Sequence, residues 1–188
     1  MVFVFVIVFV IMDSFLELAR VRRSYRKYTA EPLKQEQIEQ ILQAALMSPA
    51  SKRCNPWEFV VVTDRETLNK MAGCRTYGSQ MLTESAAGII VCVDPNLTDT
   101  WQCDGAIAAE HILLEAADLG LGACWVQIYG RYMDEENTVS AEQQIRCLPG
   151  IPEDKNVLCI ISLGHKNEER KPREIDKLQY EKVHYGKY

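Results

Sequence analysis

Three arginines and a hydroxyl stand within five residues at Arg22-Arg23-Ser24-Tyr25-Arg26. Guanidiniums grip a phosphate through several charge-assisted hydrogen bonds, and a serine hydroxyl adds another. A solvated basic turn at a helix end has the same composition, so the cluster alone leaves both readings open. A second stretch, Ser48-Pro49-Ala50-Ser51-Lys52-Arg53-Cys54-Asn55-Pro56, offers backbone donors, hydroxyls, two cations and an amide in a loop held by prolines. Loops on rigid elements are where ligands bind. A third, Leu119-Gly120-Leu121-Gly122-Ala123-Cys124-Trp125, has glycines that either end a helix or let backbone approach a flat ligand closely. It is not GxGxxG after a strand, so no Rossmann site is indicated. The fourth is Gly164-His165 with Lys171-Pro172-Arg173, cations that close over a phosphate or form part of a polar tail.

The rest of the chain narrows these options. Its 188 residues carry a net charge of -5, which gives no general attraction to nucleic acid or to an anionic membrane. An anion must therefore be captured by a local basic cluster. Neither nucleic acid nor membrane is an expected partner. GxSxG, HExxH and P-loop patterns are missing from the sequence. Seven cysteines occur with no CxxC pair, so neither a zinc site nor a disulfide framework is expected. Most read as small core residues of a reducing compartment, and a cytoplasmic location is expected. Of the three histidines, His111 falls inside a helix without a spaced partner and reads as structural.

Elements must position these groups. Asp13 or Ser14 can cap a helix over Phe15 to Val21, which places the basic cluster at its C-terminal end. Ile38, Ile41, Leu42, Ala45 and Leu46 predict a helix over Lys34 to Met47. Strands are expected at Trp57 to Val62, Ala87 to Val93, Ala123 to Ile128 and Val157 to Leu163. Helices are expected from Thr63-Asp64 to Met71, from Asp104 to Leu119 and from Ser140 to Cys147. The Asp104 helix is so apolar that it should be central and buried. His165 to Tyr188 forms a tail with Tyr180, Val183, Tyr185 and Tyr188 as anchors on a neighbour. Length and composition (47% hydrophobic, 25% charged) fit one globular domain of α+β or α/β class. The opening MVFVFVIVFVIM is too short to span a bilayer and lacks a signal peptide's basic start. It reads as an apolar extension over 1–11, artefactual or a hydrophobic arm, before a single domain over 12–188.

Taken together, Arg-Arg-Ser-x-Arg, the Pro-x-Ser and Pro-Trp-x-Phe loop, Asp-x-Gly-Ala running into Gly-Leu-Gly-x-Cys-Trp, and the closing Val-His-Tyr-x-Lys resemble the nitroreductase family of FMN-dependent oxidoreductases. The resemblance runs from Met12 to Tyr188. It implies an α+β fold with a central, mostly antiparallel sheet flanked by helices. It also implies an intertwined homodimer with an extended C-terminal tail and FMN at the subunit interface. Arg22, Arg23 and Ser24 match residues that hold the phosphate and ribityl end, and Arg26 the cation near the flavin N1 and C2 carbonyl. Pro49, Ala50, Ser51 and Arg53 match the loop that covers the ring, commonly from the other subunit. Cys124 and Trp125 match backbone passing the ring, and Lys171 and Arg173 the late cations that return to the phosphate. The implied reaction is ping-pong, with hydride passing from NADH or NADPH through flavin N5 to a small acceptor such as a nitroaromatic or quinone. No side-chain acid or base is implied. Many members have Asn at the position of Arg53 and Gln at that of Asn55, and these departures bear on the acceptor. The rival expectations are a flavin-binding sensor or storage protein, and same-fold dehalogenation or flavin fragmentation.

Overall fold

The computed structural model describes residues 14–188, so the expected extension over 1–11 lies outside the described residues. Four strands form one antiparallel sheet: β1 (Trp57–Val62), β2 (Ala87–Val93), β3 (Gly122–Gln127) and β4 (Asn156–Gly164), in spatial order β1-β2-β4-β3. The order follows from the residues. β2 is buried at every position and β4 at all but its first, as strands flanked on both sides and covered on both faces must be. The edge strands β1 and β3 keep partly exposed positions.

Alternation along the strands feeds two cores. Ile90, Cys92, Val126 and Ile160 point to one face, where they meet Leu68 and Met71 of α3 (Arg65–Ala72) and Ile145 of α5 (Ala141–Cys147). Ile89, Val91, Cys159 and Ile161 point to the other, against Ile41 and Ala45 of α2 (Gln35–Leu46) and Ile112, Leu113 and Ala116 of α4 (Trp101–Asp118). The short α1 (Phe15–Val21) is capped by Ser14, whose Oγ accepts the Glu17 N–H.

The ends of β3 and β4 each shift by one residue from the sequence reading, and one helix start moves further. The central helix starts at Trp101 rather than Asp104. Trp101 is buried in the α4-side core, and its packing extends the helix by nearly a turn beyond the acidic residue that looks like a start. Cys74, Cys92, Cys124 and Cys159 are buried as expected of core residues, whereas Cys103 and Cys147 are exposed.

Candidate functional site

The basic cluster leaves α1 at Arg22 and runs along the free edge of β3. Ser24 forms a parallel bridge with Ala123, and the Tyr25 N–H donates to the Ala123 carbonyl at 3.0 Å. Tyr28 anchors the far end. Its buried hydroxyl donates to the Tyr25 carbonyl at 2.7 Å and lies 2.8 Å from Ser162 Oγ. Burial pushes this phenol well above its ordinary range, so it stays a protonated donor. Gly164 is required here, because a Cβ at that position would lie 2.9 Å from the Tyr28 ring.

Side chains of the cluster fan out from this fixed backbone. The Arg22 side chain is 14% exposed, and its Nε lies 3.5 Å from Glu110 Oε1 of α4. Arg23 Nη1 donates to the Lys171 carbonyl, and the Arg173 N–H donates to the Arg20 carbonyl at 2.9 Å. Together these two contacts draw the tail across the end of α1. Arg23, Lys171, Arg173 and Lys177 line an open groove of about 440 Å³ there. The Arg26 N–H donates to Glu168 Oε1 at 2.6 Å, and Glu168 also takes Arg170 Nη2 at 2.7 Å. Lys166 Nζ stands 4.9 Å over the Tyr25 ring.

Cys124, on β3, faces this segment. Burial raises its thiol, while Arg26, the Ser24 hydroxyl and Arg22 each pull it back down. Two arginines of the cluster thus act on Cys124 at the β3 edge, opposed by the Glu168 carboxylate. Trp125, the next residue, points to the opposite sheet face, packs in the α4-side core and donates from Nε1 to Gln127 Oε1 at 2.9 Å.

The second candidate segment is built separately. Pro49 and Ala50 lead from the end of α2 into a 3-10 turn, Ser51–Arg53. The Ser51 N–H donates to Asp104 Oδ1 at 2.8 Å, and Ser51 Oγ lies 3.0 Å from the same atom and 2.6 Å from Thr100 Oγ1. Asp104 is 2% exposed, and its Oδ2 has no hydrogen-bond partner among the described residues. This anchor holds a costly backbone: Lys52, Arg53 and Asn55 have φ of 53°, 57° and 44°. Each such non-glycine residue costs about 1–2 kcal/mol.

Arg22 and Ser51 both lean on α4, at Glu110 and Asp104. Six residues along a helix separate them by about 9 Å of rise and about 120° of rotation. Among the described residues, no hydrogen bond or ion pair joins loop 49–53 to the cluster. One protomer thus brings together Arg22, Arg23, Ser24, Arg26, Cys124, Lys171 and Arg173. It holds Pro49, Ala50, Ser51 and Arg53 on another side of α4. The sequence reading missed Tyr28, Ser162, Lys166 and Glu168. Only the Tyr28 spacing from the cluster offered any signal, since the others act through chain-distant partners.

A sequence profile described as the Nitroreductase family matches residues 19–91 and 94–165. An Archaeoglobus fulgidus protein named "Putative NADH dehydrogenase/NAD(P)H nitroreductase" is 38% identical over 94% of this chain and all of its own length. The NADPH-flavin oxidoreductase of Vibrio harveyi is 32% identical over 86% of this chain and 70% of its own. Among solved structures, an FMN-dependent nitroreductase from Clostridium difficile superposes with a TM-score of 0.88 at 38% identity, covering 91% of this chain and 98% of that one. With the profile spanning most of the chain and the fold shared along nearly its whole length, the protein belongs to the nitroreductase family.

Proposed function

We propose that this oxidoreductase holds FMN at the β3 edge and transfers hydride from NADH or NADPH to a nitroaromatic, a quinone or a similar small acceptor. The carrying observation is the fixing of the Arg22 to Arg26 segment along the β3 edge by the Ser24–Ala123 bridge and the Tyr25 N–H bond to the Ala123 carbonyl, with Arg23 joined to the tail at Lys171. Arg22 suits a phosphate. It is mostly covered, and among the described residues the one carboxylate within ion-pair reach, Glu110, stands 3.5 Å away and is half-exposed. The donor set, guanidiniums plus a serine hydroxyl, is that of an organic phosphate site.

Bound FMN supplies the two-electron chemistry that side chains lack. The chain's own residues bind and orient. Arg22, Arg23 and Ser24, with Lys171 and Arg173 from the tail, hold the phosphate and ribityl end. Arg26 places a fixed cation where a reduced isoalloxazine carries negative charge, which favours the reduced form. Backbone at Cys124 and Trp125 sets the approach to the ring. Pro49, Ala50, Ser51 and Arg53 cover the ring of a second copy's site. Their separation from the cluster within one protomer supports a homodimer with FMN at its interface. The chain works as one domain over 12–188 in the cytoplasm, with no nucleic-acid or membrane partner. No helix among the described residues is long and apolar enough to cross a membrane.

Same-fold chemistry on larger substrates requires an added lid. Only residues 94–100 separate β2 from α4, which favours small acceptors. Purified protein should be yellow, release FMN on denaturation and oxidise NADH or NADPH when given a quinone or nitrofurazone. Colourless protein that takes up no added FMN overturns the reading. Flavin binding without turnover assigns the chain to storage or sensing instead.

A further inference from the structure

A second basic site lies away from the cluster. The turn after α3 and the loop between β3 and α5 flank an open cavity of about 320 Å³ lined by Arg75, Tyr77, Arg131, Tyr132, Glu135 and Asn137. That volume is at the small end of ligand pockets. Neither Arg75 nor Arg131 forms an ion pair with a carboxylate among the described residues. Glu135 lines the same cavity, yet it reaches neither guanidinium within 4.0 Å. Two like charges left facing one cavity in a chain of net charge -5 call for an anion.

The site is also rigid. Arg75 Nη1 donates to the Gln127 carbonyl at 3.0 Å, and its guanidinium lies against Gly78, where a Cβ would stand 3.6 Å from it. Thr76 Oγ1 donates to the Met133 carbonyl at 2.9 Å, which ties one turn to the other. Asp134 accepts the Thr138 and Val139 N–H groups at 2.8 Å each and fixes the loop's shape. Burial first, and the neighbouring Arg131 charge second, lower the Arg75 guanidinium from its ordinary value. Tyr77 and Tyr132 present exposed rings at the rim. Exposed rings beside cations offer stacking to a planar base while the cations take its phosphate.

We propose that this cavity binds the phosphomonoester of an adenine nucleotide, with Arg75 and Arg131 on the phosphate and Tyr77 or Tyr132 on the base. The phosphate has two chemically equivalent sources: the 2′-phosphate of a nicotinamide dinucleotide donor, or a separate mononucleotide. The site stands independently of the flavin reading, because none of its residues belongs to the cluster.

The test is calorimetry on the full chain saturated with FMN, titrated with 2′-AMP, 5′-AMP and inorganic phosphate. At least one mononucleotide should bind about tenfold more tightly than inorganic phosphate, since only it can stack. Arg131→Gln, an exposed position, should weaken that binding about tenfold. Glu135→Gln should strengthen it, an effect that a merely structural role would not produce. Preference for 2′-AMP, with a raised KM for NADPH but not for NADH in Arg131→Gln, assigns the phosphate to the donor. Equal binding of both nucleotides with unchanged KM values assigns it to a separate nucleotide. Nucleotides that bind no better than inorganic phosphate, or that bind Arg131→Gln as well as the parent, overturn the proposal.

Discussion

Arg22 and Tyr28 divide the work of the cluster between them. Arg22 supplies charge at a largely covered position, and Tyr28 fixes the backbone from which that charge projects. Arg22→Ala should weaken FMN binding by about 1–3 kcal/mol, the loss expected for a charge-assisted hydrogen bond. Fluorescence titration of the apoprotein measures it, and unchanged affinity would show that Arg22 serves only α4. Tyr28→Phe removes a hydroxyl from between the Tyr25 carbonyl and Ser162 and leaves that carbonyl without its donor, while Ser162 Oγ keeps its bond to the Cys124 carbonyl. It should cost about 1–3 kcal/mol in urea unfolding. The cluster was legible because four chemistry-bearing residues adjoin one another in sequence. Glu168 was not. It is one carboxylate in a charged tail, and the N–H it accepts lies 142 residues away.

At the scale of elements, α4 is a beam on which two segments rest. Its apolar composition revealed its central place, but its partners were hidden. Asp104 looked like a helix start because acidic residues favour first turns. Its carboxylate instead spans 53 residues of sequence to Ser51, a pairing no local pattern encodes. Asp104→Ala should release loop 49–55 and speed tryptic cleavage at the exposed Lys52 and Arg53. An unchanged cleavage rate would place the restraint elsewhere. The tail's grip should depend on pH through Glu168. Burial raises this carboxyl, but the Arg26 N–H and Arg170 together outweigh it and hold the pKa below its ordinary value. A depressed carboxyl stabilises the fold above the unfolded value of about 4.3 and loses that contribution as pH falls through the folded one. Parent and Glu168→Gln should therefore differ in Tm near neutrality and converge in acid. A constant gap down to the acid limit would assign the effect to packing.

At the scale of the whole molecule, the exposed apolar surface is uneven. Ser14 completes the cap of α1, so a chain beginning at Met12 should keep the Tm and FMN affinity of the longer one. A clear loss in either would make residues 1–11 part of the fold. Phe15 and Leu16 on α1, Leu46 and Met47 at the end of α2, and Ile175, Leu178, Tyr180 and Val183 along the tail are all exposed in the single protomer. Apolar patches of this extent mark interaction surfaces. The ends of α1 and α2 and the tail carry both these side chains and the two segments of the candidate site, so the proposed symmetric contact would cover the first and join the second. The pairing was implied by family resemblance rather than by any pattern in the residues, because a period of 3.6 or 2 reports only burial within one chain. A stable dimer buries roughly 1,600 Å² or more, which a wrapped tail readily supplies. Sedimentation should show a dimer for the full chain. Truncation after Arg173 keeps Arg23, Lys171 and Arg173 of the groove but removes Glu174 to Tyr188, Lys177 among them, and it should shift the protein toward monomer and lower FMN affinity together. A truncated monomer that binds FMN with the parent's affinity would place the whole site within one subunit.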